Sequence, residues 1–230
     1  GSGLSGGANA VDGCLVLSLE RMRAVEIDPV TRVAYAEPGL LNAELKRAAA
    51  EHGLWYPPDP SSFEICSIGG NVATNAGGLC CVKYGVTTDY VLGLRVVLAD
   101  GRAVDLGGPR LKDVAGLPLT RLFVGSEGTL GIVVRAVLRL VPAQRRPATL
   151  VASFPSLASA TSAVLGITGR LRPSMLELMD RTSINAVEDM LRMGLDRSAA
   201  AMLVVQSDEP AGTAAEEISL VTQICEEAGA

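Results

Sequence analysis

The stretch that most constrains this chain is the run of residues 57–78, which joins a proline-rich half to a glycine-rich half. Its three prolines have fixed φ angles that favour tight turns, and the Asp and Ser side chains between them can bond nearby backbone groups. Its second half places Gly-Gly pairs beside Asn71 and Asn75, and such pairs permit positive φ and a close approach of the backbone to a ligand. Because Asp59 and Glu64 are its only charged residues, the run suits a large neutral heterocycle whose phosphates are held by backbone N–H groups. An ordinary glycine-rich surface loop is the alternative interpretation.

Two further glycine-rich stretches occur in the chain, at residues 1–7 and 125–133. The first has four glycines in seven positions, and a loop of this kind can form a concave nest of N–H groups for a pyrophosphate. It matches neither the Walker pattern nor a G-x-G-x-x-G that follows a strand. A Gly-Ser-Gly start could come from an expression tag, but its continuation favours a native loop. Since the chain lacks an initiator Met and its last helix stops soon after Cys225, we expect it to be a fragment.

Composition excludes several classes of protein. With 230 residues and 48% hydrophobic content, the chain can bury a substantial core. Its 20 basic and 25 acidic residues are interspersed without a basic stripe, so no nucleic-acid partner is expected. No apolar run reaches membrane-spanning length and no signal peptide is visible, so no membrane span is expected. Five cysteines in no metal-ligand spacing favour a reducing compartment, and we predict a cytoplasmic protein.

The cysteines and the single histidine give no catalytic or metal site. Cys80 and Cys81 are adjacent, which permits a redox role, although small buried side chains are the simpler interpretation. His52 stands beside Gly53 at the end of a predicted helix, where a cation or donor suits the exposed carbonyls. One histidine without a cysteine motif makes a poor zinc site, so we predict no metal in this chain and leave its catalytic residues unknown.

The pattern of apolar residues predicts the elements of the first part of the chain. Strands are predicted at residues 14–19, 21–28 and 31–37, followed by a helix at 40–52. Residues 68–78 are expected to begin as a turn and continue through a short helical or extended segment at 71–75. A strand at 90–98 leads through Asp100-Gly101, a strong hairpin signal, into residues 103–106, and a last strand covers 133–141.

After Pro147 the pattern changes to alternating strands and helices. Strands are predicted at residues 149–154, 175–179 and 201–206, and amphipathic helices at 156–168, 181–190 and 213–227. This βαβαβα order indicates a separate α+β unit whose sheet is covered on one face. We therefore predict two domains, residues 1–146 and 147–230.

Taken together, the three glycine-rich stretches resemble the FAD-binding signatures of the FAD-linked oxidases, the superfamily of vanillyl-alcohol oxidase. Pro-Asp-Pro-Ser-Ser at 58–62, Ile-Gly-Gly-Asn at 68–71, Asn-Ala-Gly-Gly at 75–78 and Gly-Ser-Glu-Gly-Thr-Leu-Gly-Ile at 125–132 are most similar to one branch. That branch contains the D-lactate dehydrogenases, D-2-hydroxyglutarate dehydrogenase and the glycolate oxidase flavoprotein subunit. The resemblance covers essentially the whole chain, and Leu-Glu-Leu-Met-Asp at 176–180 matches the start of that branch's substrate domain.

The resemblance implies an α+β fold with a two-subdomain FAD-binding domain, incomplete at its N-terminus, followed by part of an α+β cap domain. Residues 1–7 would hold the pyrophosphate, residues 58–78 would wrap the flavin, and residues 127–133 would border its ribityl or adenine end. The residues implied to bind FAD, without a covalent link, are Gly1, Ser2, Gly3, Leu4, Ser5, Gly6, Pro58, Asp59, Pro60, Ser61, Ser62, Ser67, Ile68, Gly69, Gly70, Asn71, Asn75, Gly77, Gly78, Tyr84, Gly85, Glu127, Gly128, Gly131, Ile132 and Val133.

The same resemblance implies oxidation of a D-2-hydroxy acid of the lactate, glycolate or 2-hydroxyglutarate type to the 2-oxo acid. Hydride would pass from C2 to flavin N5, and electrons would continue to a quinone, cytochrome or flavoprotein. A homodimer or hetero-oligomer would fit this family. The Arg-Gly that precedes the first loop in the family and the His-rich motif that binds a divalent metal and the substrate are both missing. We therefore expect the general base and any metal to lie outside this chain, and the 230 residues alone to be inactive.

Two other functions stay open at this point. A family member could act on another alcohol, as an ether-lipid synthase-like or sugar-oxidising enzyme, or the chain could be a non-catalytic flavin-binding subunit of a heteromeric oxidase. Individual charged residues also have two interpretations each. Glu127 could cap a helix or approach the flavin, Lys83 could balance a phosphate or lie on the surface, and Glu177 and Asp180 could form a solvated or interdomain face.

Overall fold

The computed structural model describes all 230 residues, which form two compact units. The first consists of Gly1–Gly78 and Gly85–Ala143, and the second of Leu79–Tyr84 and Gln144–Ala230. The domain boundary predicted near residue 147 stays a prediction. In chain order the elements are β1 (Val25–Asp28), β2 (Val33–Ala36), α1 (Asn42–Ala50), β3 (Leu54–Trp55), α2 (Ile68–Thr74), α3 (Cys81–Tyr84), a 3₁₀ turn (Thr87–Asp89), β4 (Val91–Val97), β5 (Ala103–Gly107), α4 (Thr120–Phe123), β6 (Ile132–Arg139), β7 (Val141–Pro142), β8 (Ala148–Phe154), α5 (Leu157–Thr168), β9 (Met175–Asp180), α6 (Arg181–Leu191), β10 (Ala201–Ser207) and α7 (Ala211–Glu227).

The first unit is built on an antiparallel five-stranded sheet in the order β1-β2-β6-β4-β5. Helices α1 and α2 contribute Leu45 and Ile68 to its core, where they join Leu94 and Leu138 from the central strands, and all four side chains are fully buried. The predicted hairpin at Asp100-Gly101 is confirmed by the pairing of β4 with β5. This sheet and its helices form the rigid base from which the glycine-rich loops extend.

The strand predicted at residues 14–19 is wrong. These residues form no strand, and Leu15, Val16 and Leu17 are strongly exposed. An apolar run becomes a strand only where its N–H and C=O groups find a partner strand, and local hydrophobicity does not supply one. The following strand is also shorter than predicted, because its pairing with β2 begins only at Val25.

The second unit contains an antiparallel three-stranded sheet in the order β8-β10-β9, and the predicted βαβαβα order is confirmed. Helices α5 and α7 cover one face, where Phe154, Ile167 and Leu203 are buried. The prediction that only one face is covered is incomplete, since Ile184 of α6 packs against Met202, which alternates to the opposite face of β10. No helix here combines the length and the apolar character that crossing a bilayer would require.

A single carboxylate fixes the loop that follows α6. Glu188 accepts hydrogen bonds from the backbone N–H groups of Met193 (2.9 Å), Gly194 (3.1 Å) and Leu195 (3.0 Å). The bond from Leu195, aided by those from Gly194 and Met193 and opposed by burial, lowers the pKa of Glu188 below its ordinary value of 4.5. The ionised form therefore holds this loop.

Acid is expected to weaken this loop through Glu188. Because the pKa is lower in the folded protein, its stabilising effect is present above about pH 4.5, the ordinary glutamate value, and is lost as pH falls through the folded pKa. We expect Glu188→Gln to be less stable than the unsubstituted protein at pH 7, with the difference shrinking toward pH 3. Thermal unfolding midpoints measured across that range test this, and two parallel curves would contradict it.

Candidate functional site

The three glycine-rich stretches meet on one surface of the first unit. The Ser2 hydroxyl lies 3.3 Å from the Ser62 hydroxyl, which joins the first stretch to the second. A Cβ atom placed on Gly7 would lie 2.8 Å from Oε2 of Glu127, which joins the first stretch to the third. Stretches separated by more than forty residues in the sequence thus form one contiguous, mostly uncharged loop surface.

The third stretch is attached to α2 through its backbone. The N–H groups of Gly125 and Glu127 each donate a 2.9 Å hydrogen bond, to the carbonyl oxygens of Val72 and Ala73 respectively. Glu127 has a left-handed backbone (φ 50°), which is unusual for a residue with a side chain. No helix begins here, so the interpretation of Glu127 as a helix cap is wrong. Gly131 needs its lack of a side chain, since a Cβ there would lie 2.7 Å from Val96 Cγ1.

The run of residues 57–78 is fixed to the N-terminus of α1 by a residue that the sequence analysis missed, Asn42. Its buried Nδ2 donates to the carbonyl oxygen of Pro58 (3.1 Å) and to Oδ1 of Asn71 (2.9 Å). The backbone N–H groups of Asn42 and Ala43 donate to the carbonyls of Cys66 and Phe63, both at 3.0 Å. In the sequence, Asn42 looks like the solvated start of an amphipathic helix, and no local signal shows that it lies at the centre of the loop.

The side chains of Asn71 and Asn75 form hydrogen bonds within the protein. The Asn71 side chain is buried: its Oδ1 accepts from Asn42, and its Nδ2 lies 3.2 Å from the sulfur of Cys66. Asn75 ends α2 in the left-handed conformation (φ 48°), and its Oδ1 accepts from the Thr88 N–H at 2.9 Å. Both carboxamides therefore order the loop.

Helix α2 is capped by Ser67, whose hydroxyl accepts a hydrogen bond from the Gly70 N–H at 3.1 Å. Gly69 lies against Pro38, because a Cβ added to it would fall 2.6 Å from the proline Cβ. Ile68 is fully buried, whereas Gly70 is exposed. This short helix thus has a buried side that packs on the core and an exposed side that is open to a ligand.

Gly78 and Asp59 bring the two ends of the run together. A Cβ atom on Gly78 would lie 2.2 Å from both the backbone oxygen and Oδ1 of Asp59. Contacts below 3.0 Å essentially do not occur for real Cβ atoms. Only glycine permits this approach, so the proline-rich and glycine-rich halves pack backbone to backbone.

The predicted site residue Tyr84 lies in the second unit, as does Lys83, for which a phosphate contact and a surface position were both open. Lys83 Nζ forms ion pairs with Asp208 Oδ1 (2.6 Å) and Glu209 Oε1 (2.7 Å), and the Tyr84 hydroxyl donates to Asp208. Burial would lower the pKa of Lys83, but the bonds to Asp208 and Glu209 outweigh it and raise that pKa above its ordinary value. Burial and the Asp208 hydrogen bond raise the pKa of Tyr84 as well. Lys83 is therefore neither a free surface lysine nor an unpaired charge.

The cysteines, His52 and Asp180 were the remaining candidate residues. None of the five cysteines forms a disulfide, and Cys66, Cys80 and Cys225 are buried. His52 is exposed just beyond α1, and no group of three or more His, Cys, Asp or Glu side chains is placed to hold a metal. Asp180 caps α6 by accepting from the Ser183 N–H at 2.7 Å.

Sequence profiles of two domains match most of the chain. Residues 1–107 match the FAD binding domain, and residues 143–230 match the C-terminal domain of FAD linked oxidases. These matches correspond to the two units, apart from residues 79–84 and the residues between the two matches.

Individual relatives agree with the domain profiles. The chain is 43% identical to the glycolate oxidase subunit GlcD of Bacillus subtilis (100% of this chain, 49% of the relative) and 41% identical to that of Escherichia coli K12 (100% and 46%). It is 41% identical to a D-lactate dehydrogenase of Archaeoglobus fulgidus (82% and 42%). A solved structure of alkyldihydroxyacetonephosphate synthase matches with a TM-score of 0.75 at 25% identity (91% and 41%). The chain thus spans about half the length of the curated relatives it matches.

Proposed function

The chain belongs to the FAD-linked oxidases, and on this premise we propose that it forms part of an enzyme that oxidises a D-2-hydroxy acid to the 2-oxo acid. Its predicted α+β fold is confirmed, with an FAD-binding domain followed by a segment of the oxidase C-terminal domain. The predicted cofactor, FAD, is supported by the domain that covers residues 1–107.

One observation carries the assignment of the FAD site: three distant glycine-rich stretches converge on one loop surface. That surface suits the chemistry of FAD. Residues 1–7 are almost entirely exposed and carry no charged side chain, so their backbone is open to a pyrophosphate. The neighbouring run of residues 57–78 offers serine hydroxyls and exposed backbone for a neutral ring. Bound FAD supplies the acceptor for the hydride that leaves C2 of the hydroxy acid.

The structure suggests two kinds of role among the residues proposed to bind FAD. Exposed or half-buried residues of the loops, such as Ser2, Ser61 and Gly70, are accessible for direct contact. Buried Asn71 and Ile68 support the loop from below, because their side chains are directed into the protein. We propose that loop backbone supplies most of the binding contacts and that these buried groups fix its shape.

Glu127 is proposed to contact hydroxyl groups of the cofactor. Its carboxylate lies beside Gly7, next to the loop proposed to hold the pyrophosphate. Two negative groups at that distance would repel each other, so the carboxylate is unsuited to a phosphate contact. It suits the hydroxyls of a ribityl or ribose group, which donate hydrogen bonds to carboxylates. This agrees with the expectation that residues 127–133 border the ribityl or adenine end.

The proposed substrates and the proposed oligomer are based on the names of similar proteins. Oxidation of glycolate, D-lactate or D-2-hydroxyglutarate is proposed because proteins so named are similar to this chain. The name "subunit" of two relatives supports a hetero-oligomer. We further propose that FAD is bound without a covalent link, that a quinone, cytochrome or flavoprotein accepts the electrons, and that the protein acts in the cytoplasm.

The visible spectrum of the protein, produced from its gene, tests this function. We expect a yellow protein whose flavin absorbance is bleached by one of glycolate, D-lactate or D-2-hydroxyglutarate under anaerobic conditions. L-Lactate and L-2-hydroxyglutarate are the matched controls and should leave the spectrum unchanged. A colourless protein that cannot be reconstituted with FAD, or a yellow one that none of these acids bleaches, would contradict the proposal.

A further inference from the structure

A six-residue segment of the second unit lies, in the sequence, between two residues that are proposed to bind FAD. Leu79–Tyr84 belongs to the second unit, although the residues directly before and after it, Gly78 and Gly85, belong to the first. Both of these glycines are among the residues proposed to bind FAD. Because the chain is continuous, whatever orders Leu79–Tyr84 also restricts the conformational freedom of the two glycines joined to its ends.

One carboxylate contacts two side chains of this segment, Lys83 and Tyr84. The Asp208 side chain, just beyond β10, is 3% exposed and accepts hydrogen bonds from Lys83 Nζ (2.6 Å), the Tyr84 hydroxyl and Gln144 Nε2 (3.1 Å). Glu209 gives Lys83 a second ion pair, and Arg172 donates to the Lys83 carbonyl oxygen at 2.6 Å. The cluster contains two cations, Lys83 and Arg172, and two carboxylates, Asp208 and Glu209, so its formal charges cancel. It therefore has no excess positive charge for a phosphate.

We propose that Asp208 is a positioning residue for FAD: by holding Lys83 and Tyr84, it fixes the segment between two stretches of the cofactor site and so prepares those stretches for binding. This inference rests on the proposed function. It gives a part in cofactor affinity to Asp208, which lies outside every predicted cofactor-binding stretch. The contribution is preorganisation, because a loop that is already ordered loses less conformational entropy when the ligand binds.

Substitution of Asp208 by asparagine is the direct test, since it keeps the size of the side chain and removes its charge. The carboxamide has one acceptor oxygen and an NH₂ group that cannot accept from Lys83, Tyr84 or Gln144. In Asp208→Asn we expect FAD to dissociate about tenfold more readily, with an affinity lower by about 1.4 kcal/mol. We also expect faster hydrogen exchange at the Lys83 and Tyr84 amides, which bond to the Cys80 carbonyl at 3.2 and 2.9 Å. Flavin-fluorescence titration and exchange mass spectrometry on the protein produced from its gene give the two readouts.

Two further variants distinguish a specific effect on Leu79–Tyr84 from a general loss of stability of the second unit. Glu188→Gln alters a different carboxylate of the second unit, one that accepts from backbone N–H groups far along the chain from Leu79–Tyr84. It should leave FAD affinity within twofold of that of the unsubstituted protein. Tyr84→Phe removes one donor and retains the ion pair, so it should weaken FAD binding two- to threefold even if Asp208→Asn does not fold.

The inference is overturned if Asp208→Asn or Tyr84→Phe binds FAD as tightly as the unsubstituted protein. Equal weakening by Glu188→Gln would overturn it as well, because the effect would then come from the stability of the unit. An unsubstituted protein that binds no FAD would contradict the proposed function itself, and this outcome is seen before any variant is made.

Discussion

Gly78→Ala is expected to weaken FAD binding by at least tenfold and to lower the free energy of unfolding by about 1–3 kcal/mol, the usual cost of overpacking. The new Cβ would stand 2.2 Å from two oxygen atoms of Asp59, and one of them belongs to the backbone, which cannot rotate away. The proline-rich and glycine-rich halves of the run must therefore separate by about 1 Å, since ordinary contacts begin at 3.4 Å. Flavin-fluorescence titration and chemical denaturation of the FAD-free protein measure the two effects.

The matched control for this substitution is Gly212→Ala in α7. A Cβ at Gly212 meets nothing within 4 Å, and alanine is favoured over glycine in helices by up to about 1 kcal/mol. Gly212→Ala should therefore bind FAD normally and be at least as stable as the unsubstituted protein. If Gly78→Ala behaved in the same way, the close approach of Gly78 to Asp59 would not be needed for the cofactor site.

Asn42→Leu is expected to destabilise the protein by about 2–4 kcal/mol, because it leaves two buried acceptors without their donor. These acceptors are the Pro58 carbonyl and Asn71 Oδ1, so the loss falls on both halves of the loop surface. We expect FAD affinity to fall together with stability. Urea denaturation gives the change in stability, and a titration performed well below the unfolding midpoint gives the affinity.

Two further variants test whether the effect of Asn42→Leu comes from its lost hydrogen bonds. Leu45→Ala, on the same helix, removes a fully buried apolar side chain at a cost of about 2–5 kcal/mol but breaks none of these polar links. It should lower stability while the folded protein still binds FAD. The double variant Asn42→Leu/Asn71→Leu should be less destabilised than the sum of its single variants, since both partners of one bond are then gone. Strictly additive effects would show that the two carboxamides are not coupled.

The sequence predicted those features whose physical cause is local. Asp100-Gly101 marks its hairpin because the turn needs a residue with positive φ, and Gly101 has φ 83°. The glycine pairs near Asn71 and Asn75 meet a different need: Gly69 and Gly70 lie in α2 without positive φ, whereas Gly78 permits the close approach to Asp59. Most helices and strands followed from apolar periodicity, which reports which face is buried.

The features that were missed depend on partners distant in the sequence. Residues 14–19 have the apolar character of a strand but pair with no strand here, and periodicity alone does not show this. Asn42 is an ordinary helix-start residue until Pro58 and Asn71 fold over it. Lys83 could be assigned to a phosphate or to the surface, because nothing near it in the sequence indicates Asp208.

The Lys83–Asp208 ion pair also sets an order of events during protein synthesis. The two residues lie 125 positions apart, and ribosomes add roughly 5–20 residues per second. Lys83 therefore exists for about 6–25 s before its partner has been made. During that interval Gly78 and Gly85 are present, but the segment that connects them is not anchored. The proposed FAD site has all its motifs before residue 134, yet the anchor proposed for Leu79–Tyr84 is complete only after the last strand of the second unit has been translated.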